Sequence, residues 1–215
     1  VVEAGIYERG GKVIIKKSCS EHGEFEDVYW SDWEQYERAR RFSVVGEGLE
    51  NPRTARVKGC PYDCGICPNH KSHTILAIID VTNRCNLRCP ICFANAASAG
   101  YVYEPTKEEI FNMLENLAAN RPVPPKALQL SGGEPTLRDD LPDIVFKALE
   151  LGMNHVEVNT NGLRFAGDIE YLKKLTDAGV STFYLQFDGT TREPYIATRG
   201  ADLLKMKMEA LENMR

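Results

Sequence analysis

The chain has 215 residues, a formal net charge of −5 and seven cysteines. Hydrophobic residues make up 43% and charged residues 27%, a composition that excludes collagen-like, disordered and membrane-spanning proteins. The negative charge gives no support to nucleic-acid binding, which usually leaves a basic surface. The total of seven cysteines is odd, and six of them lie from Cys60 to Cys92. A disulfide framework usually has an even number of more evenly spaced cysteines. We therefore expect metal-bound thiolates in a reducing cytoplasm.

The N-terminal region predicts a small β unit. Apolar and β-branched runs at 11–15 and 24–30 favour two short strands joined by a turn. Ser31, with Glu34 three residues later, has the spacing of a capping box and predicts a helix start.

A cysteine-rich segment, 59–73, follows this unit. Its glycines and prolines leave no helix or strand period, so we expect a bound group to order it. The predicted domains are therefore 1–58, 59–73 and 74–215. The chain begins with Val1 and ends within a helical pattern, and we expect it to be part of a longer protein.

From residue 74 onward, predicted strands and helices alternate. The run 74–81 is apolar and β-branched, which predicts a strand buried on both faces. Thr106 and Glu109 form a capping box before a helix. Four such βα units predict a parallel sheet whose functional groups lie at the carboxyl ends of its strands. The other predicted strands are 126–130, 156–159 and 181–187, and the other helices are 140–151, 168–178 and one carrying Leu204, Met208 and Leu211.

Three cysteines follow the first of these strands with the spacing C-x3-C-x2-C. Cys85, Cys89 and Cys92 could hold an iron–sulfur cluster, since such clusters are bound by cysteine thiolates. A four-iron cluster with three protein ligands leaves one iron open to a small molecule. The alternatives are a structural zinc site, which would normally need a fourth protein ligand, and buried thiols that bind no metal.

The second strand is followed by a Ser-Gly-Gly-Glu-Pro segment. Ser131, Gly132 and Gly133 let the backbone approach a ligand closely, and the Glu134 carboxylate could bind an ammonium group. The alternative is a tight turn with no ligand.

Together these two motifs resemble the radical S-adenosylmethionine (SAM) superfamily. The resemblance implies an α/β fold, a partial TIM-like barrel with four of an expected six βα units present. It also implies a [4Fe–4S] cluster that chelates SAM and a Gly-Gly-Glu-Pro segment that contacts the methionyl amino group. Reductive cleavage of SAM would give a 5′-deoxyadenosyl radical, with Cys85, Cys89 and Cys92 as the catalytic cluster ligands.

Polar residues end the third and fourth predicted strands. Asn159 and Asn161 could face the SAM ribose or carboxylate, and so could Gln186 and Asp188. For each of them, a helix cap or a turn is an equally good interpretation.

A second C-x3-C-x2-C group precedes the first strand. Cys60, Cys64 and Cys67 predict a second [4Fe–4S] cluster, with His70 or His73 as a candidate fourth ligand. The alternative is a zinc site.

A further Cys-x-x-His pair lies in the N-terminal turn. Cys19 and His22 supply two ligands, which is half of a metal site or an incidental pair.

The combined motifs are similar to the archaeal tetraether lipid synthase group, which has also been described as a 7,8-dihydro-6-hydroxymethylpterin methyltransferase. The resemblance implies auxiliary clusters and an N-terminal mononuclear iron or zinc site that includes Cys19. It implies carbon–carbon bond formation between archaeal lipid chains, or methylation of a dihydropterin in methanopterin biosynthesis. Expected partners are a lipid or small-molecule substrate and an electron donor such as ferredoxin or flavodoxin, with no transmembrane segment.

A non-catalytic zinc or iron–sulfur module is the remaining alternative. It explains the cysteines but not the Gly-Gly-Glu-Pro segment or the βα order. No G-x-G-x-x-G, Walker or His-Glu-x-x-His motif is present. We expect a cytoplasmic protein, with membrane contact if its substrate is a lipid.

Overall fold

The computed structural model describes residues 2–60, 62–63, 66–96 and 99–215. It divides into two compact units, Val1–Gly46 and Glu47–Arg215. The predicted domain boundaries at 58 and 73 remain predictions.

The first unit contains a three-stranded antiparallel sheet with the order β1-β2-β3. The sequence predicted two strands and missed β1, whose polar side chains give little apolar signal. Asp32, not Ser31, caps the following helix, because its carboxylate accepts the Gln35 N–H at 2.9 Å. The elements are β1 (Ala4–Arg9), β2 (Lys12–Cys19), β3 (Gly23–Trp30) and α1 (Trp33–Arg40).

The second unit is built on a four-stranded parallel sheet with the order β4-β5-β6-β7. This confirms the predicted α/β architecture of four successive βα units. The strands are β4 (Leu76–Asp80), β5 (Ala127–Ser131), β6 (His155–Thr160) and β7 (Thr182–Leu185). The helices are α2 (Lys107–Ala118), α3 (Leu141–Glu150), α4 (Leu163–Gly167), α5 (Ile169–Asp177), α6 (Glu193–Arg199) and α7 (Leu204–Asn213).

The capping box at Thr106 and Glu109 is confirmed: the Thr106 side chain accepts the Glu109 N–H, and the Glu109 carboxylate accepts the Thr106 N–H. Helices α4 and α6 were not predicted, because five and seven residues are too short to establish a helical period.

Helices cover one face of the parallel sheet. The core contains alternate strand residues such as Ile79, Leu130 and Val158, packed against Leu114 of α2 and Leu175 of α5. Burying these side chains is the main source of stability for such a layered domain.

Among the described residues of Glu47–Arg215, no helix covers the opposite face of the sheet, which is called the open face below. Leu76 and Ile78 remain 41% and 60% exposed, so the prediction that this strand is buried on both faces is wrong. Because β4 ends the strand order and has helices on one side, its side chains alternate between buried and exposed. In the described part of the chain, no helix is long and apolar enough to cross a bilayer.

Candidate functional site

A pocket of about 390 Å³ opens at the carboxyl ends of the parallel strands. It brings together the cysteine loop, the Gly-Gly-Glu segment and the ends of β6 and β7, as expected for a parallel α/β sheet. Of the residues predicted for the main site, those lining the pocket are Cys85, Cys89, Cys92, Ser131, Gly132, Gly133, Glu134, Asn159, Asn161 and Gln186. Asp188 lies behind it, bound to the lining residue Arg199.

The three thiols of the loop share a smaller recess of about 40 Å³. Cys85 and Cys89 are half-buried and Cys92 is exposed; burial raises the pKa of the Cys85 thiol. Within the described ranges, no three His, Cys, Asp or Glu side chains converge on a position for one metal ion. Three cysteines around a common recess suit an iron–sulfur cluster, in which each cysteine binds a different iron.

The two glycines fix the start of the cysteine loop. The Gly133 N–H donates to the Thr82 carbonyl at 2.7 Å, and the Glu134 N–H donates to the Arg84 carbonyl at 2.8 Å. A Cβ on Gly132 or Gly133 would lie 2.2 Å from one of these two carbonyl oxygens. The glycines therefore permit close packing of these two backbone segments, and the N–H groups of Gly133 and Glu134 are used in it.

Glu134 is 1% exposed and its carboxylate is used inside the protein. One oxygen accepts the Thr136 N–H at 3.1 Å and the Thr160 hydroxyl at 2.6 Å. The other accepts the Asn161 N–H at 2.7 Å. These hydrogen bonds join the segment after β5 to the end of β6, and the contact of Glu134 with a ligand ammonium stays a prediction.

Asn161 connects the end of β6 to the cysteine loop. Its side-chain amide donates to the Asn86 side chain at 2.7 Å, and its side-chain oxygen accepts the Leu163 N–H at 2.9 Å. Asn159 and Ser131 are half-buried in the pocket and lie 3.4 Å apart through their polar atoms. These two side chains are the better placed for contact with a ligand.

A charged network lies behind the end of β7. Asp188, which the sequence suggested as a ligand contact, accepts two hydrogen bonds from Arg199, at 2.9 and 2.6 Å, and one from Gln186. Lys207 on α7 is completely buried and donates to the carbonyls of Asn161 and, at 2.7 Å, of Gln186. Sequence reasoning missed Lys207, although it lies three residues after Leu204 on the apolar side of the helical pattern.

The second cysteine group lines a separate cavity of about 150 Å³. Cys60, Cys67 and His70 line it, which favours His70 over His73 as the nearby candidate ligand. Cys64 lies outside the described residues.

In the N-terminal unit, Cys19 and His22 meet in the turn between β2 and β3. The Cys19 Sγ and His22 Nδ1 atoms are 3.4 Å apart. Two ligands of a tetrahedral zinc ion at ordinary bond lengths lie about 3.5 Å apart, so the pair fits half of such a site.

Two family models match separate parts of the chain. Residues 79–215 match the family model of the radical SAM superfamily. Residues 1–31 match the model of the HMPTM N-terminal zinc ribbon domain.

Two relatives and one solved structure are informative. The chain is 53% identical over 214 residues to a 7,8-dihydro-6-hydroxymethylpterin dimethyltransferase of Methanocaldococcus jannaschii, covering 100% of the chain and 42% of that protein. It is 36% identical over 129 residues to an Fe-coproporphyrin III synthase of Methanosarcina barkeri, covering 59% of the chain and 31% of that protein. The crystal structure of methylornithine synthase has a TM-score of 0.51 at 18% identity over 66% of the chain and 41% of that structure, which supports the fold alone.

The chain spans less than half the length of each of these proteins. The superfamily model nonetheless covers more than half of the chain, including the βα region that forms the cysteine pocket. On this evidence the chain belongs to the radical SAM superfamily.

Proposed function

We propose that this chain is the SAM-cleaving part of a methyltransferase that acts on a reduced pterin. The observation that carries the proposal is the 53% identity, along the whole chain, to a protein named as a dihydrohydroxymethylpterin dimethyltransferase. This favours pterin methylation over the coupling of lipid chains, since none of the relatives named above is a lipid synthase.

Cys85, Cys89 and Cys92 would hold a [4Fe–4S] cluster, which when bound with SAM supplies the electron for its reductive cleavage. The residues of the chain would position SAM in the pocket. Ser131 and Asn159 offer hydrogen-bonding groups in the pocket, and the buried Glu134 fixes the strand ends on which they lie.

The open face of the sheet offers a place for the substrate. Gln129 and Glu157 pair across β5 and β6, with the Gln129 amide donating to the Glu157 carboxylate. Gln129 lies two residues before Ser131 on β5, and Glu157 lies two residues before Asn159 on β6. Two residues of a strand span about 7 Å, so this pair lies about 7 Å from the two pocket residues. The second Glu157 oxygen and the Gln129 carbonyl are acceptors that complement the N–H donor edge of a pterin ring.

A second candidate is supported by the apolar part of the same face. Leu76, Ile78 and Tyr184 are exposed there, and side chains of this kind suit a hydrocarbon substrate. The second candidate is carbon–carbon bond formation between lipid chains.

One experiment separates the two candidates. The holoenzyme is reconstituted anaerobically with iron and sulfide and then incubated with SAM, a reductant and either dihydropterin or archaeal phospholipid. We expect dihydropterin to stimulate 5′-deoxyadenosine formation and to yield methylated pterin by mass spectrometry. Lipid-dependent 5′-deoxyadenosine and a coupled lipid product would instead establish the second candidate.

A variant pair tests the substrate face. Glu157→Gln is expected to raise the KM for dihydropterin about tenfold while leaving SAM cleavage without substrate unchanged, because it removes a charged acceptor. Glu209→Gln, on the exposed side of α7, is the matched control. An unchanged KM in Glu157→Gln would remove Glu157 from the binding site.

The other cysteines extend the proposal. We assign Cys60, Cys64 and Cys67 to a second cluster, and Cys19 with His22 to the zinc ribbon. Replacing Cys85, Cys89 and Cys92 together by alanine should leave about four irons per chain in the reconstituted protein. Complete loss of iron would contradict the second cluster. A ferredoxin or flavodoxin is the proposed electron donor.

A further inference from the structure

The C-terminal end of α6 packs against the cysteine loop. Gly200 ends this helix in the left-handed conformation, with φ of 74°. A Cβ placed on Gly200 would lie 3.8 Å from the Pro90 side chain and 3.9 Å from the Arg88 carbonyl. The helix therefore delivers its last residue, Arg199, to the wall of the pocket that Cys89 also lines.

Arg199 is held in one orientation there. Its guanidinium makes two hydrogen bonds to Asp188, with Nε to Oδ2 at 2.9 Å and Nη2 to Oδ1 at 2.6 Å. Both side chains are largely buried, and the Gln186 amide also donates to Asp188. Asp188 raises the pKa of Arg199, and burial opposes this. Arg199 and Cys89 line the same pocket, with the cysteine loop packed against the end of α6.

Arg199 brings a cationic group to the pocket wall that Cys89 also lines. The buried Lys207 adds a second cationic group behind it, and the carboxylates of Asp188 and Glu134 lie close to this pair. Hydrogen bonds to cluster sulfurs and nearby positive charge both favour the reduced, more negative state of an iron–sulfur cluster.

We propose that Arg199, oriented by Asp188, is a positioning residue of the cluster site: it donates an N–H···S hydrogen bond to the Cys89 sulfur and makes the bound cluster easier to reduce. The inference rests on the proposed cluster at Cys85, Cys89 and Cys92. It does not depend on which substrate the enzyme uses.

The first test measures the reduction potential of the SAM-binding cluster. The holoenzyme and its Arg199→Gln variant are titrated anaerobically and followed by electron paramagnetic resonance (EPR), in a background where Cys60, Cys64 and Cys67 are replaced by alanine. At a fixed potential we expect the ratio of reduced to oxidised cluster to fall about tenfold, or about 59 mV for one electron. Arg199→Lys keeps the charge without the two-pronged geometry and should fall between the two.

Arg192→Gln is the charge-matched control. Arg192 precedes the same helix, and its partner is Asp202 at the surface, 3.6 Å away. It should leave the midpoint unchanged. A midpoint that is equal in wild type and Arg199→Gln, or that falls equally in Arg192→Gln, would overturn the inference.

The second test keeps Arg199 in place, so it does not depend on whether an Arg199 variant still assembles the cluster. In holoenzyme labelled with ¹⁵N-arginine, pulsed EPR of the reduced cluster should detect a ¹⁵N coupling. The coupling should persist in Arg88→Gln, which removes the arginine next to Cys89 in sequence. No coupling in the wild type, or its loss in Arg88→Gln, would contradict the assignment to Arg199.

The two levels of the proposal fail in different ways. A wild-type holoenzyme that assembles no cluster at these cysteines would overturn the proposed function, and this inference with it. A wild-type cluster whose potential and couplings are insensitive to Arg199 would overturn this inference alone.

Discussion

Glu134 is enclosed by hydrogen-bond donors from two segments that are distant in sequence. Its two oxygens each accept a backbone N–H, one from Thr136 and one from Asn161. Thr160 adds a hydroxyl donor. The carboxylate therefore holds the end of β6 against the turn that follows β5.

Replacing Glu134 by Gln should destabilise the protein. Whichever way the new amide turns, its NH₂ group faces a backbone N–H, so one buried donor loses its acceptor. We expect the free energy of unfolding in urea to fall by about 2 kcal/mol. Glu170→Gln is the matched control, since Glu170 is exposed and pairs with Lys173 at the surface. Equal stability of the two variants would contradict the structural role.

Lys207 makes the stability depend on alkaline pH. Burial lowers its pKa from 10.5 to about 8, so between these values the unfolded chain binds more protons than the folded chain. Stability should therefore rise with pH across this window, by about 3 kcal/mol at most. The measurement is the difference in unfolding free energy between wild type and Lys207→Met from pH 7 to pH 10. A difference that does not change with pH would show that Lys207 titrates normally.

The identities of these residues were visible in the sequence, but their partners were not. The Gly-Gly-Glu segment was recognised as part of the site from its position after a strand. The partners of Glu134 lie up to 27 residues away, and nothing in local spacing indicates that they enclose the carboxylate. The three-dimensional path of the chain brings these donors to the Glu134 carboxylate, and local sequence does not show it.

Elements meet closely where the turn after β5 crosses the start of the cysteine loop. Gly133 and Glu134 donate to the carbonyls of Thr82 and Arg84, so the loop leaves β4 in a fixed direction. The sequence predicted both motifs and their common edge of the sheet. It could not predict that glycine is needed for backbone contact, because that contact joins residues about fifty positions apart.

Gly133→Ala should disturb the cysteine loop. The added methyl would lie 2.2 Å from the Arg84 carbonyl oxygen, so the backbone has to move. We expect a loss of about 1–3 kcal/mol in unfolding free energy and a lower iron content after reconstitution. Gly167→Ala is the control, since its Cβ would meet nothing within 4 Å. We call the two hydrogen bonds from Gly133 and Glu134 to the carbonyls of Thr82 and Arg84 the backbone clamp. Full iron content in Gly133→Ala would contradict a role of this clamp in shaping the cysteine loop.

At the scale of the whole molecule, two units carry separate metal-binding motifs. Cys19 and His22 belong to Val1–Gly46, whereas the other six cysteines belong to Glu47–Arg215. The order of the parallel sheet was predictable because each strand pairs with the next along the chain. The open face was not, since an apolar run does not show how many of its sides will be covered.

Cys19→Ser should affect only the metal of the first unit. We expect the zinc content of the full-length protein to fall in elemental analysis, because a hydroxyl is a much poorer zinc ligand than a thiolate. Iron and labile sulfide should be unchanged. Ser20→Ala, in the same turn, should retain zinc. A parallel loss of iron in Cys19→Ser would show that the two units share a metal centre.

The backbone clamp at the base of the cysteine loop affects how the protein responds when its iron–sulfur cluster is lost. The hydrogen bonds to Thr82 and Arg84 involve no cysteine and no iron. A cluster destroyed by oxygen would therefore leave behind a loop still anchored at its base, with its thiols around the same recess. We expect such an enzyme to regain its cluster in the folded state, with assembly limited by the supply of iron and sulfide.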